Sequence, residues 1–295
     1  MIVVAGGSGV LGTHVVGDLL TAGHPVRALV RDATRGREVL GAGPEVVQVD
    51  VRRSDGLVEA LHDATVVISA FHGLLGGRGA GPDEVDLRGN ALVTEAARAV
   101  GASVVLVSAI GADPASPAAL LRAKHGAEEA LRTSGVPWTI VRPGPFIETW
   151  ARVLRESATP SGRPLVLGRG ERPIPFVSVA EVAAVVGRAA TDPAERGVTM
   201  ELAGRPASLS ELAKVLQSVD GRPAEPRRLP RLVLRLASTL ARPLSPAFAR
   251  MSRMALLMDT EDLGLGDPGL RERLGMPPAP SVRDVLVGPA GHLTQ

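Results

Sequence analysis

The chain has 295 residues, enough for one α/β domain with a smaller appendage, and 45% hydrophobic with 22% charged residues is a globular composition. It contains no cysteine, which excludes disulfides, thiolate catalysis and cysteine-ligated zinc or iron–sulfur sites. The pI of 9.8 accompanies a net charge of only +2: there is no tyrosine, Lys124 and Lys214 are the only lysines among 33 basic residues, and so little titrates between histidine and arginine that the value is no nucleic-acid signal.

The apolar run from Ile2 to Ala5 predicts a first strand. No charged region with an apolar signal segment precedes it, and no stretch approaches the ~20 apolar residues that span a bilayer, so a cytoplasmic protein is expected. Glycines follow at 6, 9 and 12, then Val15, Val16, Leu19 and Leu20 at helical spacing. Strand, tight turn and helix in that order make Gly6-Gly7-Ser8-Gly9-Val10-Leu11-Gly12 a candidate cradle for a dinucleotide diphosphate. Gly6 permits the turn, Gly9 lets backbone amides approach the anion, and Gly12 lets the helix pack close to the strand. The helix N-terminus adds free N–H groups and partial positive charge.

Ala22-Gly23-His24-Pro25 stops the helix, and Val26 to Val30 is the second strand. Arg31 ends it where such folds inspect the adenosine ribose. An acidic residue there suits the 2′-hydroxyl of NAD, whereas an arginine, helped by Arg35 or Arg37, suits the phosphate of NADP. NADP(H) is therefore the expected cofactor. A short helix near 35–40, a strand at 46–49, a helix from Ser54 carrying Leu57, Val58 and Leu61, and a β-branched strand at 65–70 follow. The end of that strand, Ser69-Ala70-Phe71-His72, should emerge on the same sheet edge as the glycine turn. The glycine-rich loop 73–82 suits a flap or a plain connector.

A helix is predicted over 83–100, a strand over 103–107, a helix over 117–134 and a sixth strand over 138–142. Six strands alternating with helices predict a doubly wound parallel sheet. Beyond Pro143 the alternation loosens: a helix at 146–157, a short strand at 174–177, a helix at 181–190, a strand at 199–202, and a helix opened by the Ser208/Glu211 capping box. The domain expectation is 1–143 for the dinucleotide-binding part, with 174–191 packing back onto it, and 144–295 for a smaller substrate-side and helical region. Segment 227–242 is basic and apolar together, as a membrane-surface helix would be. Leu and Val off a single stripe favour instead a helix covering the domain or a subunit contact.

Several motifs together resemble the atypical short-chain dehydrogenase/reductases, specifically the NmrA-like NAD(P)-binding group. They are the glycine turn, Ala28-Leu29-Val30-Arg31-Asp32, Asp50-Val51, Gly89-Asn90, Ser108, Lys124 with Ala127-Glu128-Glu129-Ala130-Leu131, and the run from Ser134 to Pro143. The stretch Pro175 to Ala183 resembles the family's later strand-to-helix step. The resemblance implies a Rossmann-type fold. It also implies that Asp50 and Val51 bind the adenine edge, that Ser69, Ala70 and Phe71 line the diphosphate and ribose, and that Pro143, Gly144 and Phe146 lie beside the nicotinamide. Ser108 and Lys124 fall at the family's serine and lysine. An ammonium there could orient the ribose or move a proton, although Glu128 at i+4 also offers an ordinary helix ion pair.

One departure is decisive: the usual tyrosine four residues before the lysine is Leu120. The proton would then come from His72, Lys124 or water. Phe146, Trp150 and Phe176, from a chain with 2% aromatic residues, are candidate pocket walls, with His72 beside the substrate. No metal-ligand cluster is predicted. These residues point to an NADPH-dependent oxidoreductase passing hydride to a carbonyl or activated double bond of a small organic substrate. The alternative is a non-catalytic NADP-binding sensor or scaffold. Sugar-nucleotide epimerase chemistry fits less well, since it normally uses the missing tyrosine. The expected partner is a small molecule, without nucleic acid or membrane span, and a monomer or homodimer is expected.

Overall fold

The computed structural model describes residues 1–158, 162–222, 225–240, 243–264 and 266–288. In chain order the first elements are β1 (Ile2–Ala5), α1 (Val10–Thr21), β2 (Val26–Val30), α2 (Ala33–Leu40), β3 (Glu45–Gln48), α3 (Leu57–Ala60) and β4 (Val66–Ser69). A π-helical stretch, Asp83–Gly89, runs into α4 (Asn90–Val100), followed by β5 (Ser103–Val107), α5 (Ala119–Thr133) and β6 (Trp138–Pro143). Then come α6 (Ile147–Ala158), β7 (Leu165–Leu167), α7 (Val179–Thr191), β8 (Thr199–Leu202), α8 (Leu209–Val219) and β9 (Arg227–Leu229). Four helices complete the described chain: α9 (Arg231–Leu240), α10 (Pro246–Thr260), α11 (Leu270–Arg273) and α12 (Val282–Val287).

Seven strands form one sheet in the order β3-β2-β1-β4-β5-β6-β8. Every residue of β1, β2 and β4 is buried, as expected of parallel strands covered on both faces. Strand order runs outward in one direction from β1 and in the other from β4, so the switch point lies between them. Ala5 pairs with Leu29 on one side and Ser69 on the other, which brings the chain leaving β1 beside the chain leaving β4. The core around this sheet includes Val3, Leu29, Val67, Leu106, Ile140 and Leu131.

Four expectations are corrected. The sheet has seven strands rather than six, because β8 joins it next to β6. Segment 174–177 makes only isolated bridges, Phe146 to Val177 and Ile174 to Ala207; Pro173 and Pro175 remove the donors that a ladder needs. The helix expected from Ser54 is cut to α3, which starts after Gly56 in the left-handed conformation (φ +74°). The helix expected over 83–100 is π-helical through Gly89. The parallel pair of β7 with β9 had no counterpart among the predicted elements.

The chain divides into two compact units, Met1–Arg142 with Ala180–Met200, and Pro143–Val179 with Glu201–Gln295. In the first, the buried Arg27 of β2 reaches Glu45 at 2.7 Å, Asp63 at 3.0 Å and the His62 carbonyl at 2.8 Å, satisfying a charge that would otherwise be costly. In the second, the buried Asp259 accepts from the amides of Arg169 and Gly170 and from Arg231 at 2.6 Å. No described helix is long and apolar enough to cross a membrane.

Candidate cofactor site at the switch point

The glycine turn is built by sterics. Gly6 has φ +86°, and a Cβ there would stand 2.8 Å from the Ala70 carbonyl oxygen. A Cβ on Gly12 would overlap the Gly6 carbonyl. The amides of Gly6 and Gly7 both donate to the Leu29 carbonyl, at 3.0 and 3.2 Å, and Gly9 N donates to Gly6 O at 2.9 Å. Gly9 precedes α1 as its N-cap without any side-chain cap, and the first turn of α1, with Val10 exposed and Leu11 buried, carries no acidic residue. An uncapped helix start with its positive end at the switch point fits a diphosphate. Ser8, half-buried, lies within this turn.

Arg31 is exposed immediately after β2, and Asp32 turns away to cap α2 through Arg35 N at 3.1 Å. Asp50, after β3, is gripped by Arg52: Nε to Oδ1 at 2.9 Å and Nη2 to Oδ2 at 2.5 Å. That hydrogen bonding, chiefly, lowers its pKa to about 2 against the opposing effect of burial, and Arg31 adds a smaller electrostatic pull. Arg52 also donates to the Gly79 carbonyl at 2.7 Å, so one guanidinium connects the end of β3 to the glycine-rich loop. Val51 and the Phe71 ring both lie against Gly89.

Behind the ends of β4 and β5 lies a buried polar network. Lys124, 3% exposed, donates to the carbonyls of Val107 at 2.8 Å and Phe71 at 3.1 Å. Its ammonium is 3.0 Å from Asp86 Oδ1, an ion pair off hydrogen-bond angles, while Asp86 Oδ2 accepts from Gly73 N at 2.7 Å. Asn90 donates to the Asp86 carbonyl at 2.6 Å and accepts from the Ser69 hydroxyl. Lys124 therefore pairs with Asp86 and not with Glu128. Glu128, fully buried, accepts from Ser108 Oγ at 2.5 Å, from Arg142 Nε at 2.8 Å and from Arg132 Nη2 at 3.0 Å.

Thus the first unit brings together Gly6, Gly9, Gly12, Arg31, Asp50, Ala70 and Phe71 at one end of its strands, and sets Ser69, Ser108 and Lys124 behind that edge with internal partners. His72 is exposed, with its Nδ1 3.3 Å from Leu74 N. In the second unit, Gly144 donates to the Leu202 carbonyl at 2.9 Å, and any Cβ there would overlap the Pro175 carbonyl. Pro143 closes β6, and Phe146 is half-buried. Trp150 and Phe176 are buried at 5% and 1% exposure, packed within this unit. Sequence reasoning assigned no role to Arg52 or Asp86, and gave Glu128 only as an ion-pair partner of Lys124. The available signal was Asp86 four residues before Asn90, two polar residues recurring on one face of a helix.

The model of a family described as NAD(P)H-binding matches residues 6–193. The chain is 32% identical over 230 residues to an NAD(P)H azoreductase of Xenophilus azovorans, covering 76% of this chain and 75% of that one. Its fold is similar to that of a nucleoside-diphosphate-sugar epimerase from Staphylococcus aureus, with a TM-score of 0.80, 18% identity and coverage of 97% and 99% of the two chains. An NADPH-dependent quinone oxidoreductase of Escherichia coli, solved with NADPH, is also similar: TM-score 0.75, 22% identity, coverage 97% and 98%.

Proposed function

The chain belongs to the NAD(P)H-binding family, as an atypical short-chain dehydrogenase/reductase of the NmrA-like kind with NAD(P)H as its cofactor, and from that premise we propose that it is an NADPH-dependent reductase of small organic molecules. The acceptor in this reading is a carbonyl or an activated double bond. The observation that carries it is the uncapped start of α1 at the switch point, with Arg31 in place of an acidic residue at the end of β2. The sequence similarity to the azoreductase supports reduction, whereas the solved structures at 18% and 22% identity support the fold alone.

The bound nicotinamide supplies the hydride. Gly6, Ser8, Gly9, Val10, Leu11 and Gly12 hold the diphosphate, Arg31 meets the 2′-phosphate, and Asp50 with Val51 meets the adenine. The ionised Asp50, held by Arg52, is an acceptor for the adenine amine. Ala70 and Phe71 line the ribose. Lys124 acts as a positioning residue that fixes the backbone of Phe71 and Val107, with Ser69 and Asn90 supporting the same edge. Ser108 polarises an acceptor only by releasing Glu128. The exposed His72 or water provides the proton that follows the hydride.

The expected result is NADPH binding about tenfold or more tighter than NADH, with Arg31→Asp narrowing or reversing the ratio. Titration by cofactor fluorescence measures both; equal affinities in the unaltered chain would remove Arg31 from the site. Single-turnover oxidation of NADPH by quinones, enones, ketones and azo compounds then tests chemistry. Tight binding with no oxidation across that set would favour the sensor reading.

A further inference from the structure

Between Glu225 and Asp259 the sequence has seven arginines, at 227, 228, 231, 235, 242, 250 and 253, and no acidic residue. The net charge of the whole chain is +2, so the positive excess is concentrated in this one segment. Within it, α9 packs on α10, turning Leu234 and Ser238 inward. Leu232, Leu236 and Leu240, spaced along one helical face, stay 66%, 52% and 68% exposed, with the exposed Val233 beside them. Leu244, in the turn to α10, is 90% exposed, and Phe248, in the first turn of α10, is 48% exposed. A helix that merely covered its own unit would have buried these leucines. Arg227 and Arg235 are exposed on the same segment, Arg228 reaches Glu171 at 3.0 Å, and Arg231 is held by Asp259.

We propose that this face of α9 and the start of α10 docks on the surface of an anionic lipid bilayer. The leucines and Phe248 enter the boundary between headgroups and acyl chains, and the arginines meet lipid phosphates. An apolar ridge on a segment that carries cations and no carboxylate of its own is complementary to both layers of that surface. A second copy seated on the same face by two-fold symmetry would oppose the exposed Arg235 and its neighbours to their own like charges, with no carboxylate from this segment to pair them. The contact is peripheral, because the helix that makes it is too short and too charged to cross.

Flotation of the full chain with vesicles tests the proposal. Recovery is expected with vesicles of equal parts phosphatidylcholine and phosphatidylglycerol, and not with phosphatidylcholine alone. Leu236→Asp and Leu240→Asp should each reduce partitioning about tenfold. Arg235→Glu should reduce it roughly fivefold or more, and added salt should weaken it. All three side chains are exposed, and circular dichroism with NADPH titration checks that the variants fold and keep their cofactor. Equal recovery with both vesicle types, or full recovery of the leucine variants, overturns the proposal. So does a dimer in sedimentation that Leu236→Asp dissociates while the unaltered chain ignores both vesicles; the face would then belong to a second copy.

Discussion

A lysine with all of its contacts inside the protein is held by its partners as much as it holds them. Removing Lys124 leaves the Asp86 carboxylate, fully buried, without its counter-charge. Lys124→Ala should therefore cost about 3–5 kcal/mol in urea unfolding, and adding Asp86→Asn should return part of that loss. An unchanged midpoint in Lys124→Ala would mean that the pair is dispensable. Asp50 behaves differently, because its effect depends on pH. Its pKa falls from 3.8 to about 2 on folding, so its pairing with Arg52 stabilises the fold fully above about pH 4, and that stabilisation is lost as the pH falls through about 2. The stability gap between the unaltered chain and Asp50→Asn should be widest near neutrality and close toward pH 2, as followed by denaturant midpoints. A gap independent of pH would assign the effect to something other than the charge.

At the scale of elements, the turn between β1 and α1 separates folding from binding. Gly12→Ala pushes a methyl into the Gly6 carbonyl and should destabilise the fold by about 1–3 kcal/mol. A methyl on Gly9 meets only the Gly6 carbonyl, at 3.2 Å, so Gly9→Ala should fold with a nearly unchanged midpoint yet lose NADPH affinity about tenfold or more. Thermal melting alongside cofactor titration distinguishes the two; a Gly9→Ala variant with full affinity would place the diphosphate elsewhere. This turn was legible in the sequence because its determinants are local: an apolar run, glycines at fixed offsets and a helical stripe. The strand Val26–Val30 was legible for the same reason, bounded by Pro25 and Arg31. What stayed hidden was nonlocal. The partners of Lys124 lie at the end of one strand, in a loop-flanking π-helix and at the end of another strand, and no spacing in the sequence joins them. Nor does composition distinguish π-helical from α-helical residues over Asp83–Gly89, and the prolines that stop a strand at 174–177 act through missing donors while the apolar pattern still reads as one.

For the whole molecule, near-exclusive use of arginine, with no tyrosine or cysteine, makes its charge insensitive to alkali. Between histidine and arginine only two lysines and the terminus can titrate, so electrophoretic mobility should remain cationic to about pH 9. Reversal of mobility near neutrality would show a far more perturbed set of groups. The same economy gives the protein an internal clock for local opening. Lys214 is exposed on α8 and Lys124 is sealed behind the ends of β4 and β5, so an amine-reactive label should modify Lys214 at once and Lys124 only when that seal breaks. The ratio of the two modified peptides over time reads the opening rate of one defined place, with the fast site as its own reference and no engineered probe.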